Sequence, residues 1–455
     1  MSLRHRPAAS PVGAELRILL RLAAPIAFAQ AGLALMGLID TAVVGRLGAA
    51  PLGAIGLANG LFFAVAVMGI GAMMGMDPLL AQAFGAADGR RARELLWQAL
   101  WLSGAVTIVL SLPIALLPLF LKPFGIEGPV ARDASWFIWL RLPGLWPTLA
   151  FVGLRSYLQA AHVVRALVVA TVVANLANLV LDVLFVFGRG PIPAMGAPGA
   201  GIATSLCSFV MCAIMAQAAA RLQPGLRVSR KLHLPDLRRA LQVGLPVGLQ
   251  MGAEVSVFAL VGLFAGKLGA RSLAAHQVAI ALASFTFCAA VGIGNAGSVR
   301  VGWAVGAGDT PGARRSGLMA LALGTGVMGC SALLFACAPG PLAHLLSDQP
   351  EVIAATIPLL GVCAFFQISD GVQAVGSGIL RGAGDTRYPF IANLVGHYLI
   401  GLPLALFLGF RRNGGVLGLW WGLSAGLTAV AILLLARFVR LSSRKIIPLE
   451  SPPGH

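Results

Sequence analysis

Four carboxylates, Asp40, Asp182, Glu254 and Asp370, stand inside long apolar stretches of this 455-residue chain. An ionisable group at mid-bilayer depth costs roughly 2.5–3.5 kcal/mol on insertion scales, so four amount to about 10–14 kcal/mol that a merely structural helix has no reason to carry. Such groups face a partner, an ion or a path for one, and the expectation they raise is transport.

Around two of them the spacing is informative. Asn175, Asn178 and Asp182 recur at three and four residues, which lines them along one face of a helix otherwise made of Leu, Val and Ala. Asp40 and Thr204, on other apolar stretches, supply further hard oxygens. Together they are candidates to gather around a sodium ion or a shared proton. Elsewhere Glu254 follows Gln250 by one turn, and Asp370 is flanked at helical spacing by Gln367, Gln373 and Ser377. These form a second candidate proton or sodium site, because apolar surroundings disfavour a charged carboxyl until water or a cation arrives. Asp77 is a further candidate for coupling, and His276 with Gln277, and His397 with Asn393, either line a cavity or satisfy contacts between helices. Pro25 removes a backbone hydrogen bond from its helix and is a candidate hinge. The plainer alternative is that the amides and hydroxyls tie helices together.

The elements that must position these residues follow from hydropathy. The chain is 58% hydrophobic and 11% charged, with a mean hydropathy of +0.88. Its apolar runs predict about twelve membrane-crossing helices at 16–40, 52–76, 94–121, 134–158, 166–188, 197–220, 237–264, 272–299, 315–338, 352–379, 388–410 and 415–439, called spans 1 to 12. The runs are continuous rather than alternating, which excludes a membrane β-barrel. The expected fold class is therefore an all-α integral membrane protein of two six-helix lobes.

The formal charge of +17 follows topology. Most of the 33 basic residues fall on the side that holds both termini, including Arg4, Arg6, Arg17 and Arg21, the Arg90–Arg91–Arg93 cluster and six between 221 and 239, whereas Arg46, Arg141, Arg189 and Lys267 are among the few assigned to the other. The positive-inside rule makes both termini cytoplasmic. The expected domains are a tail at 1–15, an N-lobe at 16–222, a linker at 223–236 in which Pro224, Gly225 and Pro235 interrupt helix, a C-lobe at 237–440 and a tail at 441–455. The lobes are repeats: Gly45-Arg46-Leu47-Gly48-Ala49 returns 221 positions later as Gly266-Lys267-Leu268-Gly269-Ala270. Pro25 and Pro246, Gly85 and Gly306, and Asp88 and Asp309 stand at the same offset. An even number of spans per repeat implies an axis along the membrane normal.

Other classes find little support. No P-loop, HExxH or GxSxG motif offers a handle for hydrolysis, so an enzyme is not expected and energy must come from an ion gradient. The six cysteines show no CxxC spacing. No cleaved signal peptide is expected, and no aromatic-interleaved basic patch suggests nucleic acid.

At these residues the chain resembles the multidrug and toxic compound extrusion (MATE) family, closest to its bacterial NorM-like branch, over roughly 15–440. The marks are Ile39-Asp40-Thr41, Asp77 with Ala81-Gln82-Ala83-Phe84-Gly85-Ala86, Asn178 and Asp182 before Phe185-Val186-Phe187-Gly188, Glu254, Ala274-Ala275-His276-Gln277-Val278-Ala279, and Asp370 followed by Leu380-Arg381-Gly382-Ala383-Gly384-Asp385-Thr386. The resemblance implies a twelve-helix exporter of the bacterial inner membrane that exchanges cytoplasmic organic cations for inward sodium ions or protons by alternating access. It needs no cofactor beyond the transported ion, has the lipid bilayer as its setting and works as a monomer. It also implies a first-lobe cation site at Asp40, Asn178, Asp182 and Thr204, a second-lobe acidic site at Glu254 and Asp370, and a bending Pro25. One departure is Phe366, where some NorM-like members have a tyrosine. Competing readings are a lipid-linked oligosaccharide flippase, which would need a basic cavity, and a receptor or scaffold, which would leave the acids unexplained.

Overall fold

The computed structural model describes residues 12–123, 125–188 and 193–449. Arg4, Arg6, Arg189 and the outer parts of both expected tails lie outside them. Among the described residues no strand forms, and twelve helices are long and apolar enough to cross a membrane. They run Gly13–Gly45, Ala49–Gly85, Gly89–Leu121, Gly128–Ala160, Arg165–Phe187, Ala197–Leu222, Leu234–Lys267, Ala270–Gly306, Thr310–Cys337, Pro350–Gly382, Arg387–Arg411 and Gly415–Ser442. In hydrocarbon every backbone polar group must be satisfied within the segment, and helices of this length do so. Several overrun the sequence-based bounds, because hydropathy stops at the first charge whereas the helix continues past it. Span 8, expected to end at 299, carries Arg300 inside its last turns.

Prolines and glycines shape these helices locally. Pro25 lies inside a helix that continues through it to Gly45. Span 2 breaks at Met74–Gly75 and resumes at Met76, with Asp77 in the new first turn. Pro235 does not interrupt helix as the sequence reading held: span 7 begins at Leu234, and a proline in the first turn gives up an N–H that has no intrahelical acceptor there. Span 11 widens into π-helical turns at Val395–Gly401 and Phe407–Arg411.

The repeat is visible in matching devices. Asp88 caps span 3 by accepting the Arg91 N–H at 2.8 Å, and Asp309 caps span 9 by accepting the Gly312 N–H at 2.8 Å. The end of span 2 meets the end of span 8 so closely that a Cβ on Gly85 would fall 2.7 Å from the Trp303 Cα, and one on Gly306 would fall 2.7 Å from the Gln82 Cα. The repeat offset carries Gln82 onto Trp303 and Gly85 onto Gly306, so this contact is its own symmetry mate.

Packing divides the chain into two compact units that do not coincide with the two repeats. One comprises the described residues up to Phe28, Ala81–Ala87 and the chain from Leu249 onward; the other comprises Ala29–Leu80 and Asp88–Gly248. The opening turns of spans 1 and 7 are thus exchanged between repeats. In the first unit the buried Glu15 takes a forked pair of bonds from Arg300, at 2.9 and 2.7 Å, and one from Ser316 at 2.7 Å. In the second, Asp236 takes the same fork from Arg91, at 2.9 and 2.6 Å. Glu15 and Asp236 are themselves repeat equivalents, so each exchanged helix start is anchored by a bidentate arginine.

Candidate cation sites

The first site lies wholly within the unit that holds most of the first repeat. Asp40 is buried near the end of span 1. Its Oδ1 accepts from Asn178 Nδ2 at 2.8 Å, and its Oδ2 lies 2.9 Å from the Thr204 Oγ1. The Thr204 hydroxyl is also 2.9 Å from the Ala200 carbonyl. With one proton to give, it donates to one of the two at a time. When it turns to Ala200, a lone pair faces Asp40 and can receive a carboxyl proton or help hold a cation. Asp182, fully buried on span 5, lies close enough to Asp40 for the two like charges to repel. Both Asp182 carboxylate oxygens and the Asn178 Oδ1 are buried and accept no hydrogen bond among the described residues. Buried acceptors are rarely left without a donor. Two adjacent carboxyls among such acceptors suit a shared proton or a small hard cation, since like charges so placed do not both stay ionised unpaired.

Asn175 does not join this group. Its amide donates at 2.9 Å to the Gly32 and Thr171 carbonyls, which makes it a tie between spans 1 and 5. Asp77 is also elsewhere, half-buried and accepting the Ser156 hydroxyl.

The second site lies in the other unit. Glu254 on span 7 accepts from Gln373 Nε2 at 2.9 Å, and the buried Asp370 on span 10 lies near enough for the two like charges to repel. The flanking amides are spent locally: Gln250 donates to the Ser377 hydroxyl at 3.2 Å and Gln367 to Thr286 at 2.7 Å. Phe366 packs its edge on Phe258 and Trp420, with ring centroids 6.0 and 5.4 Å apart, and contributes no oxygen. His276 accepts from the Trp420 indole at 3.2 Å and is an interhelical contact, while its neighbour Gln277 is exposed. Of the two roles expected for Asn393 and His397, hydrogen-bonded contact between helices is not the one seen: both amide atoms and both ring nitrogens are buried and make no hydrogen bond among the described residues, His397 standing in the widened turns of span 11 with its ring 6.3 Å from that of Phe258. The hydroxyl of the next residue, Tyr398, donates at 2.9 Å to the Ala253 carbonyl, beside Glu254.

The sequence reading missed one charged group. Arg141, assigned by charge counting to the outer side, lies within span 4. It donates to the Asn59 side chain and rests over the rings of Phe62 and Phe137, 4.6 and 5.7 Å from their centroids. The available signal was its neighbourhood, a single arginine after the apolar Trp136–Leu140 with no acidic partner in sequence.

Fold and sites together define a polytopic helical membrane protein made of two six-span repeats, with a pair of neighbouring acids in each unit. Comparison with known proteins gives the family. The MatE family model matches residues 25–184 and 246–407, two stretches that begin 221 positions apart. A probable multidrug resistance protein NorM of Deinococcus radiodurans is 34% identical over 441 residues, covering 94% of this chain and 95% of that protein. The multidrug resistance protein NorM of Burkholderia vietnamiensis is 35% identical over 431 residues, covering 92% of each. The chain belongs to the MATE family. Its fold is also that of solved structures at lower identity: the eukaryotic MATE transporter AtDTX14, with a TM-score of 0.84 at 22% identity over 96% of this chain and 100% of that one, and the Vibrio cholerae MATE transporter VcmN in its bent form, with 0.84 at 20% over 95% and 98%.

Proposed function

We propose that this chain is a secondary active multidrug exporter that exchanges cytoplasmic organic compounds, mainly cations, for inward sodium ions or protons by alternating access. The observation that carries the reading is the pairing of acids. Asp40 with Asp182, and Glu254 with Asp370, are brought from different spans close enough for their like charges to repel. A site of this kind takes up a proton or cation and releases it when its surroundings change, which is what coupling to an ion gradient requires. Multidrug resistance in the names of relatives at 34 and 35% identity supports the cargo class. Apolar walls suit the body of a lipophilic cation and a carboxylate its head. The basic clusters at both chain ends support cytoplasmic termini.

Exchange of one monovalent cation for one sodium ion or proton moves no net charge. Efflux of ethidium from proteoliposomes should therefore collapse when the driving ion gradient is dissipated and change little when only the membrane potential is clamped. Both sodium and proton ionophores belong in the experiment. Efflux that survives loss of both gradients, or a preference for anionic analogues, overturns the reading.

A further inference from the structure

We propose that Arg141 is a tethered counter-cation of the first acidic site: parked on an aromatic seat beside it, the guanidinium moves onto Asp40 when the coupling ion leaves and is displaced when the ion binds. The inference rests on Asp40 and Asp182 being a coupling pair. Three observations place the arginine for this role.

The first is position. On span 6, the chain neighbours Thr204 and Ser205 grip two different helices: Thr204 lies against Asp40, and Ser205 donates to the Leu140 carbonyl at 2.9 Å. Consecutive positions of span 6 thus touch the Asp40 carboxylate and the carbonyl of the residue before Arg141, and the Arg141 charge is near enough to that of Asp40 for the two to attract. The guanidinium is nonetheless held by Asn59 and the two rings, and the Asp40 oxygens by Asn178 and Thr204.

The second is the seat. Phe62 on span 2 and Phe137 on span 4 are buried, and their faces hold the guanidinium together with the Asn59 oxygen. Cation–π contact of this kind stabilises a cation by about 0.5–2 kcal/mol while leaving most of its donors free. It is a resting place that a carboxylate can compete with.

The third is the charge balance. The titratable groups bearing on the site are Asp40, Asp182, Cys207 on span 6 and Arg141. Guanidinium stays charged throughout. A bare pair of acids in a low dielectric needs a counter-charge, and Arg141 supplies one without requiring an ion to remain bound. Because it is tethered, it competes with the coupling ion and lowers the affinity of the site for it.

The test compares the purified chain with R141Q, R141K, N59L and D40N in proteoliposomes, reading the half-saturating sodium and proton concentrations for ethidium efflux, with monodisperse elution as the check on folding. R141Q removes the competitor, and the half-saturating concentration of whichever ion drives the wild type should fall at least about tenfold. R141K should stay within about threefold of wild type. N59L takes away one holder of the parked guanidinium and should raise the half-saturating concentration, an opposite shift that decides the matter if R141Q does not fold. Curves for R141Q or N59L that coincide with wild type, while D40N loses ion dependence, overturn the role of Arg141 and leave the coupling pair standing. Wild-type ion dependence in D40N overturns the coupling pair and this inference with it.

Discussion

If Asp40 and Asp182 hold one ion between them, the two acids act as a single unit, and their replacements cannot both exact a full toll. Consider D40N. Asp40 receives the Asn178 amide at 2.8 Å and the Thr204 hydroxyl at 2.9 Å. The amide at position 40 keeps the acceptor for Thr204, and Asn178 can turn its unpaired Oδ1 toward the new NH2, so the packing survives. What is lost is charge. Bonds to a charged group contribute about 1.5–3 kcal/mol and neutral ones about 0.5–1.5, so two bonds lose together about 2–3 kcal/mol in the ion-bound state. At 1.36 kcal/mol per factor of ten, initial efflux rates should fall about 30- to 150-fold. D182N removes the other half of the same ion cradle and should cost a similar factor. The assay is a double-mutant cycle: initial rates of gradient-driven ethidium efflux for wild type, D40N, D182N and the double variant, each normalised to reconstituted protein. One shared ion predicts a double variant no slower than the slower single by more than about threefold. Independent sites predict multiplication, to about 10³- to 2 × 10⁴-fold, and that result would refute the shared cradle.

At the second site, E254Q and D370N should each abolish efflux while membrane insertion and elution profile stay as in wild type, because the amides preserve size and the Gln373 contact but cannot cycle between charged and neutral forms; wild-type efflux by either variant removes that acid from coupling. In the packing of the repeats, Gly306→Val must push a side chain into the span 2 backbone around Gln82, so its thermal midpoint should drop by several degrees for a cost of about 1–3 kcal/mol. Gly326→Ala, with open space around its Cβ position, should leave the midpoint unchanged; equal midpoints for the two would contradict the close crossing.

Much of this fold is legible in sequence because the bilayer imposes a coarse rule. A window of about twenty residues averages out single exceptions, so twelve spans emerge and the acids stand out against them. The same averaging hides Arg141, since one arginine on a long flexible stem does not break an apolar run and charge counting then places it on the nearer face of the membrane. Asp40, Asn178, Asp182 and Thr204 come together from three spans, whereas Asn175, one turn from Asn178 at ideal spacing, is drawn to the Gly32 carbonyl instead. Spacing along a helix says which residues share a face, but not which neighbour that face meets. For the same reason the lack of a hydrogen bond at Asn393 and His397 among the described residues is invisible in the sequence, as is the widened turn of span 11 that carries His397, which no propensity signals.

The exchange of helix starts bears on how such a chain is made. Unit boundaries at Phe28 and Gly248 mean that the unit holding most of the first repeat is incomplete until Leu234–Gly248 has been synthesised, and that the other must wait for the end of the chain while keeping the earliest helix in reserve. During translation the first six spans therefore sit in the bilayer with Arg91 held by Glu94 but lacking the Asp236 carboxylate and with Glu15 lacking Arg300, two forks whose second halves arrive more than a hundred residues later. Both forks can close only once the second repeat has been made, so the two halves of the chain mature together. Split at the linker and expressed apart, neither fragment has what it needs to finish folding; supplied together, each brings the helix start that completes the other.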